Sequence, residues 1–198
     1  MGRYTVVITG ASGSVYGLRL VEQLLLGNHE VVLCMTEAGR DVTAYETEFE
    51  LPAEEPARSV LRFLELPQDS RLRNACPADL FDPIASGSNR IDGMVVVPAS
   101  MGFCATVASG IADDLPARAA DVCLKERIPL VFVPRETPLS LVHLRNLTSL
   151  AESGAVIVPA MPGFYRHPEG IDDLVNQIAG KVLDVLGIEN ELFPRWGE

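Results

Sequence analysis

Histidine, cysteine and basic residues are all in short supply in this chain, and each shortage excludes a chemistry. The four cysteines (Cys34, Cys76, Cys104, Cys123) form no C-x-x-C pair. Neither a zinc site nor a disulfide framework is expected, and reduced thiols in the core or beside a site are. The histidines His29, His143 and His167 are scattered, so no serine-type triad and no metal centre is expected. No Gly-Lys-Ser/Thr occurs, which excludes a P-loop. No stretch reaches the roughly 18 apolar residues of a membrane helix, and the chain enters its first strand without a basic, apolar leader, so a soluble cytoplasmic protein is expected, with no membrane partner. Sixteen Lys and Arg stand against 27 Asp and Glu, a net charge of −11. A chain of that charge has no general positive field with which to hold nucleic acid.

What is present begins with Tyr4-Thr5-Val6-Val7-Ile8, an apolar run that reads as a buried strand. Thr9-Gly10-Ala11-Ser12-Gly13-Ser14-Val15-Tyr16-Gly17 follows, and then a helical pattern through Leu18, Val21 and Leu25. Strand, small-residue turn and helix together aim backbone N–H groups and a positive helix end at an anion, so a nucleotide-type ligand is expected here. The glycines at 10, 13 and 17 do not fit the dinucleotide spacing G-x-G-x-x-G. The alternative is that any strand-to-helix turn in an α/β sheet favours Gly, Ala and Ser.

At 198 residues and 47% hydrophobic, the chain is expected to form a single domain, residues 1–198, with a sizeable core. Further strands are expected at Glu30 to Met35, Gly93 to Val97, Leu130 to Val133 and Ala155 to Val158. Helices are expected at Glu37 to Tyr45, from Met101, and at Pro116 to Glu126, Ser140 to Glu152 and Gly170 to Leu186. Residues 51 to 90 are rich in proline and charge, with one short helix around Arg58 to Leu64. Strands alternate with helices, and continuous Val/Ile runs imply that both sheet faces are covered. The fold class expected is α/β: a doubly wound, mainly parallel, Rossmann-like sheet with helices on both faces.

Ligands of such sheets sit outside the carboxyl ends of the strands. Those ends carry Gly10, Ala11 and Ser12; Met35 and Thr36; Ser100 to Phe103; Arg135 and Glu136; and Pro162 to Tyr165, with Glu46 one helix beyond the second strand. Arg118, Lys125, Arg127 and Arg135 also cluster in an otherwise acidic protein. That cluster reads equally as a solvated helix face, with Asp121 and Glu126 supplying ion pairs, or as an anion pocket.

Taken in order, these segments resemble the UbiX-type flavin prenyltransferases of the wider flavin-dependent cysteine decarboxylase superfold. The resemblance covers nearly the whole chain. It rests on Thr9-Gly-Ala-Ser-Gly-x-x-Tyr-Gly17, Glu46-Thr47, Ala85-Ser-Gly-Ser88, Pro98-Ala-Ser-Met-Gly102, Asp114 to Arg127, Pro134-Arg-Glu-Thr-Pro138, Met161-Pro-Gly-Phe-Tyr165 and Pro194-Arg-Trp-Gly197.

The resemblance implies an enzyme that attaches a dimethylallyl group from dimethylallyl phosphate to reduced FMN, for use by a UbiD-type decarboxylase. It implies that Gly10, Ala11, Ser12, Thr36, Ser100, Met101, Gly102, Phe103 and Arg135 bind FMN, the first three at its phosphate region. Relatives often carry Ser where this chain has Thr36, which keeps the hydroxyl. It further implies that Ser86, Gly87, Arg118, Lys125, Tyr165 and Lys181 hold the allyl phosphate. Relatives carry Arg where this chain has Lys181; lysine keeps the charge and loses the bidentate fork. Glu136 is expected as the acid that protonates the leaving phosphate, its carboxyl raised by a closed cleft provided Arg135 points elsewhere. Ser12 and Glu46 are expected to relay a proton, and Trp196 to offer an aromatic face to the allyl cation. Capping, core and tail-anchor roles remain the alternatives for Glu136, Tyr165 and Trp196.

Relatives are homo-oligomers, often large shells of trimers such as dodecamers, with sites completed across interfaces. The segment Met101 to Ile111, apolar nearly all round its helix, accords with burial in the core or against a neighbour. Two enzyme alternatives lack their residues. A cysteine-type decarboxylase needs a histidine base, and none lies near Gly10–Gly17; a short-chain reductase needs Tyr-x-x-x-Lys, which is absent. The cysteine-type decarboxylase of the same superfold, though disfavoured, and a non-catalytic FMN carrier or accessory subunit remain as the alternatives.

Overall fold

Runs of Val, Ile and Leu long enough for a strand but too short for a helix lay down the centre of the sheet, because β-branched side chains pack well on a pleated surface covered on both sides. The computed structural model describes residues 1–69, 71–165 and 167–195. The strands are β1 (Arg3–Ile8), β2 (Glu30–Met35), β3 (Leu72–Ala75), β4 (Gly93–Ala99), β5 (Leu130–Pro134) and β6 (Val156–Ile157). The helices are α1 (Ser14–Leu26), α2 (Glu37–Thr47), α3 (Pro56–Phe63), α4 (Met101–Ala108), α5 (Leu115–Glu126), α6 (Leu141–Glu152) and α7 (Ile171–Val185). All strand pairs are parallel, in the order β3-β2-β1-β4-β5-β6. This is the doubly wound order, and its direction reverses between β1 and β4.

Alternate strand residues feed two cores. Val6, Ile8, Leu33, Val95 and Val131 pack with Leu20 and Leu24 of α1, Val60 of α3 and Val182 of α7. Val7, Cys34, Val96 and Phe132 pack with Cys104 of α4, Ala120 and Cys123 of α5 and Leu150 of α6. Each of the Val, Leu, Ile and Phe side chains among these, fully withdrawn from water, contributes roughly 1.5–3 kcal/mol. Three of the four thiols, Cys34, Cys104 and Cys123, are buried and free; burial pushes Cys104 and Cys123 up to about 12.

Two glycines bring helices hard against the sheet. A Cβ at Gly17 would collide with the carbonyl oxygen of Val97, and one at Gly39 with the carbonyl oxygen of Ile8. These approaches draw the starts of α1 and α2 onto the carboxyl ends of β1 and β4.

The strand β3 lies where no strand was expected. Its four residues read Leu-Arg-Asn-Ala, with polar residues in the middle, and it sits at a sheet edge where only one neighbour has to be paired. Arg73 leaves the strand to clamp Asp82 with both guanidinium nitrogens, at 2.7 and 2.9 Å. In α4, Met101, Phe103, Cys104 and Val107 are buried, but the helix stops at Ala108 and Ile111 beyond it is 49% exposed. Among the described residues no helix is long and apolar enough to cross a membrane.

Candidate active site

The reversal of strand order opens a crevice between the carboxyl ends of β1 and β4, and local sequence dictates what lines it. Thr9, the first polar residue after β1, is 2% exposed. Its hydroxyl donates to the Pro98 carbonyl and accepts from the Ser100 amide, both at 2.8 Å. This pin holds the two turns side by side. It was not among the expected site residues; its one signal in the sequence is a hydroxyl wedged between an apolar strand and the first glycine.

Around the pin, Gly10 and Ser12 are exposed and Ala11 is buried. Ser100 caps α4 by accepting from the Phe103 amide, and Thr36 caps α2 by accepting from the Gly39 amide at 3.0 Å. The side chains of Met101 and Phe103 belong to the core, so these residues present backbone rather than side chain to the crevice. Gly102 is exposed, with open space where a side chain would stand. Arg135 reaches over from the end of β5, its Nε donating to the Ser12 carbonyl at 3.1 Å. The structure therefore brings Gly10, Ser12, Ser100, Gly102 and Arg135 to one edge, with Thr36 beside them at the end of β2.

The first turn of α1 does not present its amides to a ligand phosphate as the sequence led one to expect. The Gly13 and Ser14 amides donate to the Glu46 carboxylate at 2.8 and 2.9 Å, and the Ser14 hydroxyl donates to Glu46 Oε2 at 2.5 Å. The Ser12 hydroxyl on the same turn also lowers the pKa of this carboxylate. An internal carboxylate satisfies the orphan donors and the positive helix end from the next helix. Burial pushes the Glu46 carboxyl up, but the Ser12 and Ser14 hydroxyls and the two amides outweigh it and hold it below the usual range.

Glu136 is exposed within the chain, and its Oε1 accepts from the following Thr137 amide at 2.9 Å. The closed cleft expected around it is not formed by one chain alone. Arg135 does point elsewhere, toward the Ser12 carbonyl.

The residues expected to hold the allyl phosphate fall into two groups. Ser86 and Gly87 lie along α5: Arg118 Nε donates to the Ala85 carbonyl at 3.2 Å, and Gly87 packs against the Glu126 carboxylate. Lys125 lies two turns beyond Arg118 on the same helix. The ion pairs left open by the sequence are present, Arg118 with Asp121 at 2.9 Å and Lys125 with Glu126. Tyr165 and Lys181 instead line a cavity of about 460 Å³ with Pro159, Met161, Asp184 and Arg195. Helix α5 covers one face of the sheet and α7, which carries Lys181, covers the other. The sheet stands between the two groups, so one chain does not bring them together. Asp184 is held by Arg195 at 2.7 Å and Asn190 at 3.0 Å. Trp196 lies outside the described residues. Among the described residues no cluster of His, Cys, Asp or Glu could hold a metal ion.

Comparison with known proteins matches residues 2–183 to the family described as Flavoprotein. A flavin prenyltransferase UbiX of Halalkalibacterium halodurans is 46% identical over 197 residues, covering 100% of this chain and 94% of the relative. Among solved structures, AnUbiX (PadA1) in complex with FMN and dimethylallyl pyrophosphate superposes with a TM-score of 0.88 at 38% identity, covering 100% of this chain and 98% of that one. A dodecameric FMN-dependent Ubix-like decarboxylase from Escherichia coli O157:H7 gives a TM-score of 0.87 at 40% identity, covering 99% of this chain and 100% of its own.

Proposed function

The chain belongs to the flavin prenyltransferases of the flavoprotein family, and from that membership we propose that its β1–β4 crevice is where a dimethylallyl group passes from dimethylallyl phosphate to reduced FMN. The observation that carries the reading is the donor set at the crevice: exposed Ser12, an open backbone at Gly102, two capped helix starts and the Arg135 guanidinium. Such a set suits an anionic, polyol-bearing nucleotide and fits FMN. Bound reduced flavin supplies the nucleophile, and the allyl ester supplies an electrophilic carbon with a phosphate leaving group.

The chain's own residues then have distinct tasks. Gly10, Ala11, Ser12, Thr36, Ser100 to Phe103 and Arg135 hold and orient the flavin. Glu136 gives a proton to the departing phosphate oxygen, and Arg135 is turned away from that carboxyl to the Ser12 carbonyl. Ser12 passes a proton to Glu46. Ser86, Gly87, Arg118, Lys125, Tyr165 and Lys181 neutralise the phosphate as it leaves. Because those six are divided between opposite sheet faces, a site that uses them all joins at least two copies, and the working form is a homo-oligomer. The product's recipient is a UbiD-type decarboxylase, and the enzyme works in the cytoplasm.

The test is anaerobic incubation with reduced FMN and dimethylallyl phosphate, followed by mass analysis of the extracted flavin. A product heavier by one C5 unit is expected. FMN returned unchanged would make the protein a flavin carrier and overturn the reading.

A further inference from the structure

We propose that Ser14 is a positioning residue for the proton relay, its hydroxyl fixing the Glu46 carboxylate against the first turn of α1 so that Ser12 always meets the same acceptor. This rests on the reading of Glu46 as the group that takes the proton from Ser12. The geometry carries it. Ser14 is 0% exposed, so its hydroxyl is shielded from water and has no solvent partner to exchange with. It stands 2.5 Å from Glu46 Oε2, while the Ser14 and Gly13 amides bind the same carboxylate at 2.8 to 3.1 Å. Glu46 comes from the last turn of another helix, and its residue is exposed. An exposed glutamate samples several rotamers unless something holds it; here three donors from one turn do so, and only one of them is a buried side chain. Thr36 caps the other end of α2, so the helix that carries Glu46 is also fixed at its start.

The proton balance is simple. Ser12 Oγ accepts a proton from the bound reactants as its own proton passes to a Glu46 carboxylate oxygen. The hydroxyl is restored and the carboxylate becomes a carboxyl. A carboxylate that must accept a proton has to be ionised first, and the Ser14 hydrogen bond favours that form. From other elements, Tyr16 of α1 and Arg135 after β5 act at this corner; the other charged or titratable groups on and just after α2 are Glu37, Arg40, Asp41, Tyr45, Glu48 and Glu50. Burial pushes the Tyr16 hydroxyl up, with Arg135 drawing it down and Glu46 pushing it up, so Tyr16 stays neutral across the working range and does not compete for the proton.

The experiment is single-turnover formation of prenylated flavin against pH, with FMN affinity measured in parallel, for the wild type, Ser14→Ala, Ser14→Cys and Glu46→Gln. Removing the Ser14 hydroxyl raises the Glu46 pKa, so the acidic limb of the rate profile moves to higher pH, by about one unit for one charge-assisted hydrogen bond. FMN affinity stays within twofold. Ser14→Cys, which fills the same buried space with a weak donor, shows a smaller shift in the same direction and serves if the alanine variant does not fold. A profile superimposable on the wild type in either variant, whatever the rate, overturns the proposal. A fully active Glu46→Gln overturns the underlying relay and Ser14's role with it, and is told apart because it leaves no acidic limb to shift.

Discussion

The Thr9 hydroxyl and the Ser100 amide lie 2.8 Å apart, and the same hydroxyl donates to the Pro98 carbonyl at 2.8 Å. One buried oxygen thus spaces the ends of β1 and β4, between which the crevice opens. Thr9→Val keeps the shape but leaves the Ser100 amide without its partner, and the Pro98 carbonyl keeps only the longer bond from the Thr9 amide at 3.3 Å. The expected loss is about 2 kcal/mol, or roughly 6 °C in Tm for a chain of this size. FMN affinity should fall with it, since Ser100 and Gly10 lose their common anchor. A thermal scan and a flavin fluorescence titration check both; unchanged values would mean the turns hold themselves.

Glu136 is exposed, and its carboxylate accepts from the Thr137 amide while Arg135 is engaged at the Ser12 carbonyl. Glu136→Gln preserves size and the contact with the Thr137 amide but cannot protonate a leaving phosphate. The variant should bind FMN like the wild type and form prenylated flavin at about one hundredth of its rate or less. Wild-type turnover would remove Glu136 as the acid.

Much of this architecture could be read from residues. The bounds of β2 are those expected, Glu30–Met35, because an unbroken apolar run is flanked by polar residues at both ends. Leu72–Ala75 could not be read, since an edge strand with Arg73 and Asn74 at its centre has no apolar signature; its pairing to β2 supplies what its composition does not. Likewise, Gly13 and Ser14 announced an anion at the start of α1, but not that the anion would be Glu46, 32 residues on from Ser14. That partnership depends on how α1 and α2 meet, which Gly17 and Gly39 decide by letting both helices touch strand carbonyls. The division of the basic residues between sheet faces was equally hidden: order along the chain does not say on which side a crossover helix passes.

Acid should destabilise the protein in a narrow window. Burial pushes the Asp82 carboxyl up, but the Arg73 guanidinium and the Ile84 amide outweigh it and hold it below its ordinary 3.8. Asp184 is lowered in the same way by Arg195 and Asn190 against its burial. A carboxylate whose folded pKa is depressed gives its full stabilisation above the unfolded value, and loses it as the pH falls through the folded one. Tm should therefore stay level from about pH 7 to 5 and drop below about pH 4. Asp82→Asn should start lower at neutral pH and decline less steeply in acid. Asp114 runs the other way, its carboxyl raised by burial, and softens the overall fall. Parallel Tm curves for the wild type and Asp82→Asn would show that Asp82 holds no pH-dependent stability.

The separation of Lys125 from Lys181 across the sheet yields the sharpest prediction about assembly. Lys181→Ala alone should raise KM for the allyl phosphate at least tenfold while FMN affinity is kept, because a lost point charge weakens the hold on phosphate but not on the flavin. Lys125→Ala should do the same. If each site takes Lys125 from one copy and Lys181 from another, mixing the two weakened variants creates some sites with both lysines intact. Random assembly of equal amounts places a Lys181-bearing subunit against a Lys125-bearing one at about one interface in four, so about a quarter of wild-type activity should return at low substrate. Sites built within a single chain would recover nothing, since every chain in the mixture lacks one lysine. Denaturing and refolding the two variants together, then measuring turnover against the mixing ratio, distinguishes these cases: shared sites give a curve that peaks at equal amounts, whereas self-contained sites give a flat line at the level of the single variants.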